Sequence, residues 1–126
     1  MNRPLIAVIF IIVAVCIAVT SLFYINNTHE TMTELLGDVL ESATADNKQE
    51  TKSRLENTIK QWEKKDDLLN ILIGQAETND VKNSLSMAVH FSEIGDMESV
   101  ILYINECKVE LERIKNANEP SLSTIL

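Results

Sequence analysis

Apolar residues first come as one block, Leu5 to Ile25, LIAVIFIIVAVCIAVTSLFYI, in which only Thr20 and Ser21 are polar and no charge occurs. Beyond it, apolar positions recur in threes and fours between polar ones. A helix of the block's 21 residues rises about 32 Å, the thickness of a hydrocarbon core. The later spacing is that of amphipathic helices. From Thr28 to Thr44, Met32, Leu35, Leu36, Val39, Leu40 and Ala43 share one face, and Glu34, Asp38 and Glu41 take the other. Nothing in Asn26-Asn27-Thr28 forces a break, so this helix can run straight on from the apolar block. Thr44–Gln49, TADNKQ, reads as a turn in which Asp46 caps the next helix. That segment is expected over Asn47–Ala76, as one helix or two. Leu55, Ile59, Trp62, Leu69, Ile73 and Ala76 make a heptad-like seam that lapses at Asp66. A further helix is expected from an Asp80 cap to Ile94, ended by Gly95, and a last one over Met97–Asn118, capped by Asp96. The tight Gly95-Asp96 link makes these two an antiparallel hairpin. Pro120 is expected to stop the last helix, leaving Leu122, Ile125 and Leu126 of PSLSTIL as an apolar clip folded back on the bundle. With only three glycines and two prolines, the fold class is all-α: one N-terminal transmembrane helix plus an antiparallel bundle of three to four helices.

Some apolar residues fall off the main stripes. In the last helix, Met97, Val100, Ile101, Ile104, Leu111 and Ile114 form the main face, and Leu102 and Val109 lie opposite, one heptad apart. In the helix before it, Val81, Leu85, Ala88 and Val89 make one face and Met87, Phe91 and Ile94 another. A helix in a simple bundle needs one stripe. The second is buried by the rest of the chain or meets another molecule. Ile71, too, projects away from the Leu69–Ile73 face.

The apolar block is longer than a signal-peptide core, and Val19-Thr20-Ser21 is a poor cleavage site followed by bulky Leu22-Phe23-Tyr24. Val15 is too large for lipoprotein processing at Cys16. A retained anchor is the expectation. Arg3 precedes the span and no Lys or Arg follows it before Lys48, so the positive-inside rule puts the N-terminus in the cytoplasm. The chain then divides into a cytoplasmic N-terminus (1–4), a transmembrane helix (5–25) and an acidic extracytoplasmic helical domain (26–126) at the cell membrane. Phe23 and Tyr24 suit the outer headgroup level.

The net charge is −8, and without Arg3 the remainder has 10 basic against 19 acidic side chains. Nucleic acid, which needs clustered Lys and Arg, is excluded as a partner, as is a tail lying flat on anionic lipid. The two cysteines, Cys16 in the span and Cys107 far outside it, cannot pair within one chain. Cys107 is a small buried residue or half of an intermolecular pair.

Candidate chemistry is sparse. Catalysis needs a nucleophile or base beside an oriented partner. His29 sits just beyond the span, and His90, one turn from Glu93, falls on a polar sector. No zinc spacing, EF-hand loop or glycine-rich phosphate loop occurs, so no cofactor and no enzyme is expected. Asn26-Asn27-Thr28 matches a glycosylation acceptor, a pattern too short to weigh against a polar interface. In QWEKKDDLLNILI, Trp62 reads as a core anchor and Glu63 to Asp67 as its solvated flank.

That stretch, 61–73, preceded by a single span and followed by a helical hairpin ending SLSTIL, resembles an uncharacterised family. Its members are short, N-terminally membrane-anchored helical proteins, a domain of unknown function from spore-forming Gram-positive bacteria. The resemblance covers essentially the whole chain, and Trp62 and the S-L-x-x-I-L end carry it. Members often have a second tryptophan where Leu68 stands and a histidine where Gln75 stands. This chain has neither, so no site built on that histidine transfers. The resemblance implies no established activity. It implies a polytopic membrane-protein partner, because members are often encoded near such proteins.

The expected function is a membrane-anchored, non-catalytic interaction or scaffold protein, bound to membrane lipid through its anchor and to a polytopic membrane protein or a second copy of itself. The candidate surface is Trp62, Ile71, Met87, Phe91, Ile94, Leu102 and Val109. The alternative is an extracytoplasmic sensor holding a small ligand in an interhelical pocket near Trp62.

Overall fold

The structure, a computed structural model, describes the backbone of residues 3–125 and the side chains of residues 3–117. Among the described residues are four helices: α1 (Arg3–Thr44), α2 (Lys48–Ile73), α3 (Gln75–Glu93) and α4 (Met97–Ile125). The chain is all-α, with one long apolar N-terminal helix and a helical bundle. α1 packs on α2 and α4, and α3 completes the ring by packing on α2 and α4. Short turns make successive helices antiparallel.

α1 runs through Asn26-Asn27-Thr28 without a break, and its 42 residues extend about 63 Å. From Leu5 to Thr20 every residue is exposed. From Ile25 onward the helix buries one stripe: Ile25, Thr28, Met32, Leu36, Val39, Ser42 and Ala43. It shares one core with Leu55, Trp62 and Leu69 of α2, Val81, Leu85 and Ala88 of α3, and Val100, Ile104, Cys107 and Leu111 of α4. Each Leu, Ile or Val taken out of water contributes roughly 1.5–3 kcal/mol.

The two turns far from the apolar block share one design. At the end of α1, Asn47 N donates to Ser42 O (3.0 Å) and Asp46 N to Ala43 O (3.0 Å). At the end of α3, Asp96 N donates to Phe91 O (2.9 Å) and Gly95 N to Ser92 O (3.2 Å). Both are Schellman closures, which need a left-handed residue after the helix. Gly95 (φ 79°) fills that place in one and Asp46 (φ 55°) in the other. Asp46 therefore ends α1 and does not cap α2, as the sequence had suggested. Aspartate is among the few side chains that tolerate this conformation, and Asn47 becomes the cap, accepting from Glu50 N at 3.2 Å. Asp96 caps α4 as expected. It accepts from Ser99 N (3.1 Å) and the Ser99 hydroxyl (2.7 Å), bonds that lower its carboxyl below the ordinary value.

Three boundaries differ from the sequence reading. The segment expected over Asn47–Ala76 ends at Ile73, because Gly74 takes φ 98°, ψ 156° and turns the chain. α3 then begins at Gln75, so Asp80 lies inside it and caps nothing. Ala76 leaves the seam and is exposed on α3. The Thr78 hydroxyl, bonded to Asn70 Oδ1, ties the two helices across the turn. Finally, α4 continues through Pro120 to Ile125. An interior proline removes one backbone hydrogen bond and crowds the carbonyl four residues back, but the helix resumes beyond it. The side chains of the proposed clip, Leu122, Ile125 and Leu126, lie outside the described residues.

The conformation of Gly74 is one that only glycine adopts readily, and an added Cβ would also meet Glu77 Oε2 at 3.3 Å. Gly74→Ala is expected to destabilise the fold by about 1–3 kcal/mol in denaturant unfolding followed by circular dichroism. An unchanged midpoint would mean that the turn relaxes freely.

Candidate functional site

The exposed apolar residues fall into separate places. On the outer face of α4, Leu102 is 62% and Val109 57% exposed; on α3, Ile94 is 63% exposed and Met87 lies at the margin of exposure. At the end of α2, Ile71 is, among the described residues, the most open large apolar side chain, at 81%, with Leu68 beside it partly open. Phe91 is half-buried. It packs on the core and stacks on Tyr103 with ring centroids 5.5 Å apart. Its place in a docking surface is thus limited to one edge. Leu102 and Val109, seven residues apart, stand on one helical face, as do Met87 and Ile94.

Trp62 does not belong to that surface. It is 2% exposed and sits between α1, α2 and α4. The void beside it, bordered by Thr28, His29 and Leu111, has a volume of about 10 Å³, room for one water at most. As packed, no small molecule fits there. Trp62 Nε1 and the Thr28 hydroxyl are, among the described residues, buried polar atoms without a hydrogen-bond partner. Sequence periodicity identified Trp62 as core, but could not show that its indole N–H lacks an acceptor.

The charged groups next to Trp62 turn outward. Lys65 Nζ lies 5.6 Å from the centroid of the Tyr24 ring. His29 Nε2 is 2.7 Å from Glu112 Oε2, linking α1 to α4 just beyond the apolar block. His90 is exposed at the end of α3, edge-on to Phe91. Among the described residues, no group of three His, Cys, Asp or Glu could hold a metal ion.

One polar feature was invisible in the sequence. The Ser84 hydroxyl on α3 lies 2.9 and 3.0 Å from the two Glu110 oxygens on α4 and donates to that carboxylate. Burial still raises the Glu110 carboxyl above its ordinary value. The Ser84 bond and Arg113 oppose this, and Glu106 and Asp80 add to it. Cys107, fully buried in α4, fills the core between Ile104 and Leu111. Its thiol is pushed up to about 12 by burial, with the Glu110 and Glu106 charges adding to the effect. A thiol held so far from ionisation inside the core is no nucleophile.

Comparison with known proteins gives one family. Residues 19–125 match the model of a domain of unknown function, DUF4363. The chain belongs to that family. No curated protein matches it, and no solved structure does. The DUF4363 match begins inside the apolar block, at residue 19, and takes in the whole bundle. It therefore treats the C-terminal end of that block and the four-helix ring as one unit.

Replacing Trp62 with Ala is expected to destabilise the bundle by about 3–5 kcal/mol. Trp62→Phe should lose less, because it also removes the unpartnered N–H; equal losses in thermal unfolding would contradict this. For Glu110 the sign follows from its raised folded value. The charged form is penalised fully above that value, and the penalty fades as pH falls through it and is absent below the unfolded value. Glu110→Gln is therefore expected to raise the melting temperature at neutral pH. The gap should close toward about pH 4, the ordinary carboxylate range. A variant that melts lower than wild type at neutral pH would show that the Ser84 bond outweighs burial.

Proposed function

We propose that this DUF4363 protein is a single-pass membrane protein, N-terminus inside, whose extracytoplasmic bundle binds another membrane-held protein, a polytopic neighbour or a second copy of the chain. Its work is mechanical, by helix packing, and involves no bond-making chemistry. The observation that carries the reading is the pair Leu102 and Val109, both more than half exposed and one heptad apart on the face of α4 turned away from the core. Burying each side chain at an interface would contribute roughly 1.5–3 kcal/mol. An anchor that keeps both partners in one membrane raises their effective concentration, so such modest patches suffice.

Several features support the anchored placement. α1 is long and apolar enough to cross a membrane, and its most apolar part is not buried by the bundle. Arg3 lies on the N-terminal side, and acidic residues dominate just beyond the block. The filled space around Trp62 favours an interaction surface over a ligand pocket.

Leu102→Asp combined with Val109→Asp is expected to abolish cross-linking of the protein in native membranes while its helical circular dichroism stays unchanged. Retained cross-links at the wild-type level would remove this face from the interface.

A further inference from the structure

The turn between α2 and α3 lies beside the outer part of the apolar block, not beyond its end. Lys65 stands at the level of Tyr24. Farther along α2, Leu68 and Leu72 face Cys16, Thr20 and Tyr24 of α1 across an apolar groove of about 360 Å³. From Tyr24 back to Cys16 is about 12 Å of helix. α2 thus runs roughly that far alongside the segment that must cross the membrane.

Length decides what this means. If α1 left the bilayer before Cys16, only Leu5–Val15 would remain inside. Those residues span about 16 Å, half a hydrocarbon core of about 30 Å. The block crosses only if residues 16–24 also lie in lipid, and the end of α2 then goes with them.

The composition of this end fits that position. Residues 68–76, LLNILIGQA, carry no charge and are bounded by Asp67 and Glu77. Ile71 is 81% exposed and Leu68 44% exposed, which costs free energy in water and none in acyl chains. The Asn70 side chain is already bonded by Thr78, and Gly74 N donates to Asn70 O at 3.1 Å. Gln75 and the first N–H groups of α3, which have no side-chain cap, set a limit to the depth. Interfacial elements of this kind sit about 5–10 Å into the boundary between headgroups and acyl chains.

We infer that the α2–α3 turn is a second membrane contact, with Leu68, Ile71 and Leu72 seated in the outer leaflet and lipid acyl chains filling the groove against α1. This rests on the anchored reading above and adds to it. One flexible tether would leave the bundle free to tilt. A span and an immersed turn side by side fix its orientation, with the Leu102 and Val109 face at a set angle to the bilayer.

The test uses the full chain with Cys16→Ala and the buried Cys107 retained, reconstituted in phosphatidylcholine vesicles. A polarity-sensitive fluorophore is placed by Ile71→Cys, by Phe10→Cys in the span, or by Asn57→Cys on the exposed side of α2. The Ile71 probe is expected to be quenched by chain-brominated phosphatidylcholine and several-fold less by aqueous iodide than the Asn57 probe. If the Ile71 probe behaves like the Asn57 probe while the Phe10 probe is quenched by brominated lipid, the immersed turn is overturned and the anchor stands. If the Phe10 probe is also open to iodide, the anchored reading falls and this inference falls with it. Labelling an exposed position leaves packing intact, and circular dichroism of each labelled protein verifies the fold.

Discussion

α1 is continuous, and this constraint governs the rest of the structure. Its backbone hydrogen bonds run from Arg3 to Thr44, so the apolar block and the first helix of the bundle are a single rod. The rod changes character at Ser21–Ile25, from exposure all round to a buried stripe with a polar back. α2 and α4 find their height along this rod by packing on it, with Trp62 and Leu69 on one side and Leu111 and Ile114 on the other, and α3 rests on those two helices. The position of the bundle relative to the block is therefore set by side-chain packing on one helix and not by a linker.

The two ends of the bundle are built differently, and the difference suits different surroundings. Far from the block, paired Schellman closures and Asx caps satisfy the helix ends with polar groups suited to water. Beside the block, the α2–α3 turn has one glycine, no side-chain cap and a run of leucine and isoleucine. A water-facing turn of that composition would be poorly solvated. The proposal of an immersed turn accounts for the asymmetry with the same apolar residues that look excessive for core packing.

The core is tuned with small polar groups. Thr51 donates to Ser42 Oγ (2.9 Å), which donates to Val39 O (2.9 Å), joining α1 to α2. Arg54 reaches back to Asp38 O at 2.7 Å. Ser84 and Glu110 do the same between α3 and α4. Such bonds contribute about 1 kcal/mol each and fix register, which leucine packing alone leaves loose. Thr28 and Trp62, which border the same small void and whose buried polar atoms have no hydrogen-bond partner among the described residues, mark where this satisfaction is incomplete.

Much of the fold was legible in the order of residues, because helical periodicity is local. The long apolar block, the all-α class, the Gly95-Asp96 hairpin and the core role of Trp62 depend on neighbours three and four positions apart. So did the second stripe: Leu102, Val109 and Ile94 are exposed where the pattern left them over. Other features needed the tertiary structure. Gly74 looked like one residue within a long helix until its backbone was seen to turn, since glycine tolerates both states. Asp46 could cap or close, and only the hydrogen bonds to α1 decided. The buried contact of Glu110 with Ser84 joins residues on different helices, and no local pattern records it. Above all, the depth of the α2–α3 turn along the apolar block depends on the register between two helices. That register is set by long-range packing, which one-dimensional spacing does not contain.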